Sequence, residues 1–313
     1  MDIVVAGPTT PYITPQILTN APTGISWRTI PRSNATPDEQ QAEQLNLCQR
    51  ATAMIESATN NVLRATVETE TLPGPDFRIT VNQYTQVVRV ELSRYPVTQV
   101  LGGQVSNRAA FPRQYSPIPA NQFDIERPVL GVYGTSSPSA AGDGGQAVVL
   151  APGYIDWFNG RQGYQLQVQY VSGWPHTSLT AAADASTTSV SVDDCTGWAP
   201  VTTGGQGATG IIYDGNNQET VTITAASATS GPGVLVLSSG LQFEHGTGTV
   251  LSALPGSVIW AAVLFATCEA LTRGATATTI QTISGAAEPA AAAGHHAMHA
   301  KAHMLVAPYR RIV

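Results

Sequence analysis

The sequence predicts an α+β protein with a small all-β domain inserted late in the chain. Three features of the 313 residues point there. Apolar residues recur at three- and four-residue spacing in one stretch, and the period drops to two in several others. One segment, residues 180–254, also differs in charge from everything around it. It holds six acids and no Lys or Arg, while 13 acids and 11 bases precede it and 2 acids and 4 bases follow it. The segment therefore accounts for the formal net charge of −6, an asymmetry expected of a separate structural unit.

Residues 1–35, rich in Pro, Thr and Asn, read as an extended N-terminal arm. Thr36-Pro37-Asp38-Glu39 then predicts a helix start. Threonine caps, proline suits the first helical position, and glutamate three residues on closes a capping box. Leu45, Cys48, Ala51, Ile55, Ala58 and Val62 continue as one apolar stripe, which sets a helix over 37–63. Phe77, Ile79 and Val81, answered by Val88, Val90 and Leu92, predict a hairpin. It ends at Arg94-Tyr95-Pro96-Val97, where the proline forces an extended bend. Residues 102–121 read as loop. Short strands are expected at Phe123–Glu126 and Ala147–Leu150, with a flexible tip over Ser136–Gly145 between them. Gly142, Gly144 and Gly145 of that tip lack the Lys-Ser/Thr ending of a phosphate-cradling loop.

Tyr164, Leu166, Val168 and Tyr170 alternate with Gln165, Gln167 and Gln169 in a strand that stops at Ser172-Gly173-Trp174-Pro175. Inside 180–254, β runs at 189–194, 210–214, 219–224, 233–238 and 248–252 are separated by turn residues, as in a small barrel or sandwich. Pro255-Gly256-Ser257 opens a second helix, Val258–Arg273, that is apolar almost all round. Such a helix is buried inside a domain or against a neighbouring subunit, and Trp260, Phe265 and Leu271 are assigned to that packing. A short helix over His295–Val306 precedes Pro308-Tyr309-Arg310-Arg311.

Composition excludes several classes. Charged residues make up only 12% of the chain, about half the usual share. With 15 basic residues against 21 acidic and a single lysine, Lys301, the chain is not built to grip phosphates. The best apolar run, Val258–Cys268, ends at Glu269, short of the ~20 residues that span a bilayer, so no membrane is expected. Three widely spaced cysteines make no disulfide framework. The N-terminus lacks a basic segment followed by an apolar core, so no signal peptide is expected and folding is assigned to a cytoplasm. A surface of Thr, Ser, Gln, Asn, Gly and Ala suits a chain that spends much of it on neighbours.

The order of elements carries a resemblance. A capped helix precedes a hairpin ending in Tyr95-Pro96-Val97; a later strand ends in Tyr170-Val171-Ser172-Gly173-Trp174-Pro175; a helix starts at Leu254-Pro255-Gly256-Ser257-Val258. This is similar to the head–tail connector (adaptor) proteins of long-tailed bacteriophages, over residues 36–175 and 254–285. In that family the glycine–aromatic step leads almost at once to the proline–helix step. Here residues 180–254 separate them. The resemblance implies a helical connector core with a β-hairpin and short sheet (36–179 and 255–285), the inserted β-domain (180–254) and a C-terminal tail (286–313).

It further implies a virion structural protein at the head–tail junction, assembled in the host cytoplasm. Twelve copies would form a ring that joins the portal protein to a stopper or tail-completion protein. Genomic DNA would pass through without sequence-specific binding. The family's C-terminal segment reaches the portal, which assigns His295, His296, His299, His303, Tyr309, Arg310 and Arg311 to that contact. The alternative is a tail or surface virion module whose β-domain binds carbohydrate. A hydrolase is a third reading, but no Gly-x-Ser-x-Gly or His-Glu-x-x-His occurs; no enzyme, cofactor or metal is expected.

Other candidate chemistry has plainer readings. His295, His299 and His303 share a helical face and could hold a metal, yet no acid or cysteine follows Pro289 to complete the set. Their plainer role is a polar contact face near Lys301. Asp193, Asp194, Asp214 and Glu219 could ligate calcium, but their spacing fits no EF-hand loop; they read as a solvated acidic rim. Cys48 and Cys268 lie on apolar helix faces and read as core residues. Trp174 and Trp198 read as buried anchors ahead of sugar-stacking platforms.

Overall fold

A computed structural model describes residues 10–27, 30–31, 34–74, 78–82, 87–107, 114–126, 147–150, 163–198, 208–215, 217–272 and 290–310. The Ser136–Gly145 tip and Arg311 lie outside the described residues. Among those described, helices and curled antiparallel sheets build an α+β fold around three separate hydrophobic clusters.

The first cluster is helical. Residues 10–27, expected to extend away as part of an arm, instead fold in: Thr14 caps a short helix α1 (Pro15–Asn20), and Tyr12, Ile13 and Leu18 are fully buried. Apolar side chains in a Pro- and Thr-rich segment still need cover from water, and the neighbouring helices supply it. Helix α2 (Pro37–Thr59) begins with the capping box, Thr36 N–H donating to Glu39 Oε2 at 2.8 Å and Glu39 N–H to Thr36 Oγ1 at 3.3 Å. It stops four residues before the expected end of the helix at 63, because Asn60 takes a left-handed conformation at φ 50°. Leu47, Cys48, Ala51 and Ile55 form its buried face, and Leu45 is exposed. Thr36→Ala should lower stability by about 1 kcal/mol, read as a reduced urea midpoint with an unchanged m-value.

Two sheets share the second cluster. β1 (Thr66–Pro73), β2 (Ile79–Asn82), β3 (Val87–Glu91) and β4 (Val97–Asn107) follow α2. β5 (Tyr115–Ile118), β6 (Phe123–Glu126), β7 (Ala147–Leu150) and β8 (Tyr164–Ser172) complete them. One sheet runs β1-β8-β4-β5 and the other β2-β3-β7-β6, all pairs antiparallel. β2 and β3 are the expected hairpin. β4 and β5 occupy much of the stretch that reads as loop, so that expectation is corrected. Leu72, Val90, Leu150, Leu166, Val168 and Tyr170 fill the space between the sheets, and the Gln residues of β8 point the other way.

The third cluster belongs to residues 176–252. β9 (His176–Ser178), β10 (Ser189–Val192), β11 (Ala208–Tyr213), β12 (Glu219–Ala226), β13 (Gly233–Leu237) and β14 (Val250–Ser252) form one sheet, ordered β10-β13-β12-β11-β14-β9. Its ends meet: Leu179 bridges Val192, Thr180 N–H donates to Ser191 O, and Asp193 N–H to Ser178 O. Among the described residues the sheet thus closes into a small barrel with no free edge. Trp198, Ile212, Ile223, Leu235 and Leu251 pack inside it.

The chain then enters α3 (Gly256–Thr272), followed later by α4 (Ala290–Val306). α3 is buried nearly all round by α1, α2 and α4 of the same chain. Its apolar circumference is therefore satisfied internally. Phe265 is fully buried, while Trp260 and Leu271 are half-buried.

Candidate functional site

The residues expected to touch a partner sit on α4 and the turn that follows. α4 lies along α3, and Ala302 and Val306 are its buried anchors. The segment is therefore docked on the helical unit. The rings of His299 and His303 meet Phe265 edge-on at 5.4 and 5.1 Å and each other at 4.7 Å. His296, Lys301, His303 and Arg310 are exposed, and Met304 is the most exposed large apolar side chain described, at 75%. His295 lies in α4.

Tyr309 turns inward instead. Its hydroxyl pairs with Ser257 at 2.9 Å and its ring stands against Trp174 at 5.3 Å, while Tyr95 Oη donates to Arg310 O at 2.8 Å. Thus the outer face of α4, with Arg310 below it, is a mildly basic surface mixed with imidazoles, alanines and one methionine. Among the described residues, no group of three His, Cys, Asp or Glu side chains converges to hold a metal.

The second region is the joint between the barrel and the helices, where the acids are found. Asp193 accepts from Thr10 Oγ1 at 3.0 Å, Ser178 N–H at 2.8 Å, Ser178 Oγ at 3.0 Å and the Thr177 hydroxyl. Partial burial alone would raise its pKa, but these donors more than offset that and hold the carboxyl below its ordinary range. Asp194 accepts from Thr196 and from Gly231 N–H. Glu219 accepts from Gln242 and Phe243 N–H at 2.8 and 3.3 Å. The fully buried ring of His245 lies between Glu219, at 2.7 Å, and Asp214, at 3.1 Å. Burial would raise Glu219 too; the Gln242 amide and the His245 ring pull it down. A solvated acidic rim is therefore not what these residues make. They are acceptors that fasten loops, because a barrel this small leaves turn N–H groups that only side chains can satisfy.

The N-terminal segment joins the two units at this place. His176 is buried, with Nε2 3.0 Å from Pro11 O and Nδ1 2.8 Å from Ser252 Oγ, and its ring meets Tyr12 edge-on. Since a carbonyl can only accept, the proton sits on Nε2 and Nδ1 receives the Ser252 hydroxyl. Tyr12 in turn takes a bond from Leu63 N–H at 2.9 Å and donates to Glu56 at 2.9 Å. Burial first, and the Glu56 charge next, push its phenol upward. Gln16 reaches Asp214 at 3.4 Å. Ser252 and His176 have the spacing of a nucleophile and its base, yet both are buried and the far nitrogen meets a carbonyl where an orienting carboxylate would be needed. The pair is architectural.

Beside the joint, Ile17, Ala21, Tyr213, Ile259, Trp260 and Val263 line an open, mainly apolar groove of about 260 Å³. Cys48 and Cys268 are buried, and burial raises their thiols to about 12 and about 11, so neither is a ready nucleophile. Trp198 is fully buried in the barrel and Trp174 packs on the helical cluster. No helix among the described residues is long and apolar enough to cross a membrane. No protein-family profile, curated protein or solved structure matches the chain.

Proposed function

We propose that the chain is a structural subunit of a bacteriophage head–tail junction, an adaptor whose copies form a ring under the portal. The observation that carries this reading is the meeting of two distant steps of the sequence. Gly173-Trp174-Pro175 and Leu254-Pro255-Gly256 stand side by side, Ala253 N–H donating to Pro175 O at 2.8 Å. α3 then packs on α2, although the two helices are far apart in the sequence. In this reading the scaffold is an adaptor core and the barrel is set between its last strand and its core helix. The outer face of α4, with His296, His303 and Arg310, then meets the portal, and the opposite end of the ring meets a stopper or tail-completion protein. DNA passes through a channel poor in Lys and Arg and is not gripped.

Electron microscopy of the purified full chain, alone and mixed with a purified portal ring, tests the reading. Closed rings, twelve-fold if the resemblance holds, are expected on the portal. A chain that stays monomeric in both samples would overturn the assignment.

A further inference from the structure

Among the described residues, the sheet β1-β8-β4-β5 has one blunted edge and one open edge. Backbone bonds alternate sides along an antiparallel strand. Gly74 N–H donates to Tyr164 O at 2.7 Å, in the register that also pairs Leu72 with Leu166, Glu70 with Val168 and Glu68 with Tyr170. Those residues therefore spend their N–H and C=O on β8, and Val67, Thr69 and Thr71 turn theirs outward. Among the described residues no backbone or side-chain group meets them. The same alternation carried through β8 and β4 turns Ser116 and Ile118 of β5 inward and leaves Pro117, which has no N–H, on the outer side. Proline there closes β5 to a further strand. β1 has no such guard before its last residue, Pro73.

We propose that the open edge of β1 pairs with β1 of a second copy of this chain, antiparallel across a two-fold axis at Thr69. In that register Thr69 faces Thr69 of the second copy and Val67 faces its Thr71, so every outward N–H and C=O of the three residues finds a partner. The cross-strand pairs on that face are all β-branched, which suits them to a pleated surface. Glu68 and Glu70 flank the seam on the other face and would repel their counterparts if bare. Each is already neutralised within its own subunit: Glu68 lies 3.4 Å from Arg94, and Glu70 pairs with Arg78 while accepting from Ser93 N–H and Tyr170 Oη.

On the outer face an amide chain runs from Gln104 through Gln167 to Thr71 Oγ1 and ends at this edge. With β5 blunted, a β1-to-β5 pairing between copies is disfavoured, whereas the β1 edge complements itself. The contact is isologous, so it is separate from the heterologous contacts that close a ring.

Thr69→Pro tests this, because the Thr69 N–H points away from β8 and its loss leaves the fold's own ladder whole. Thr69→Val is the control. Sedimentation of the wild type and of Thr69→Val over a range of concentrations should reach twice 32.8 kDa, and Thr69→Pro should stay at 32.8 kDa. Residue-resolved amide exchange should show Val67, Thr69 and Thr71 slowing about tenfold as the wild type is concentrated, with Glu68 and Glu70 protected throughout. A monomer at every concentration would overturn the proposal. So would any oligomer, ring included, in which the three outward amides exchange at the dilute rate. Should Thr69→Pro fail to fold, the wild-type exchange pattern decides alone.

Discussion

Gly173→Ala is expected to cost about 3 kcal/mol or more, a large part of the margin of an ordinary domain. Gly173 sits at φ +96°, and a Cβ there would stand 2.3 Å from Arg64 O and 2.8 Å from Leu63 O. Both obstacles are backbone, so no rotamer change relieves them. They are also held in place: Trp174 N–H donates to Leu63 O at 2.9 Å and Gly173 N–H to Pro96 O at 2.8 Å. The end of β8 passes through a gap between the α2–β1 link and the Pro96 bend that only a residue without a side chain can use. A useful comparison is Gly24, at φ +72° with nothing within 4 Å of its added Cβ; alanine there should cost only about 1 kcal/mol, for the backbone alone. Urea melts of the two variants measure the contrast. Equal losses would mean that the crossing at Gly173 yields more easily than its geometry states.

Acid should loosen the joint between barrel and helices before it unfolds the rest. Burial drives the His176 imidazole down to about 4 from its ordinary 6.5, with the Pro11 carbonyl only partly opposing. The folded protein therefore holds this ring neutral while the unfolded chain protonates it. That stabilisation is complete above pH 6.5 and is lost as the pH falls toward 4. At the lower end the loss approaches about 3 kcal/mol. Asp193 and Glu219, both held below their ordinary ranges, keep their contributions until the pH nears those ordinary values and lose them as it falls further. Stability measured by urea from pH 7.5 to 4.5 should fall steeply in the wild type and much less in His176→Gln, whose amide can donate to Pro11 O without titrating. An unchanged slope in the variant would remove His176 as the cause.

How legible the fold was depended on whether each element buried an apolar face. β6, β7 and the five strands β10–β14 appear where alternation places them. α2 begins where Thr36 and Glu39 announce it. β1 was not visible, because its inward positions include Glu68 and Glu70, carboxylates matched to Arg94 and Arg78 where periodicity looks for apolar residues. β4 was hidden by Gly102-Gly103, which reads as a loop. Gly103 is there because a Cβ would meet Gln167 O at 2.8 Å and the Phe123 ring, so close approach between strands decides the residue. α1 has only six residues and depends on tertiary cover.

The joint was out of reach for another reason. Thr10 and Asp193 lie 183 positions apart, and Pro11 and His176 165, so no local spacing links them. The acids were noticed as a cluster, but which amides and hydroxyls each would hold is a property of the folded turns alone.

The barrel enters and leaves the chain through one doorway, Pro175 beside Ala253. Excising such a module and splicing its ends with a short linker is expected to leave α3 resting on α2. Among the described residues, the bonds from Thr10, Pro11 and Gln16 and the edge-on contact of Tyr12 with His176 would be cut. The protein thus offers a socket in which one lobe can be exchanged for another of different shape without redesigning the scaffold that carries it.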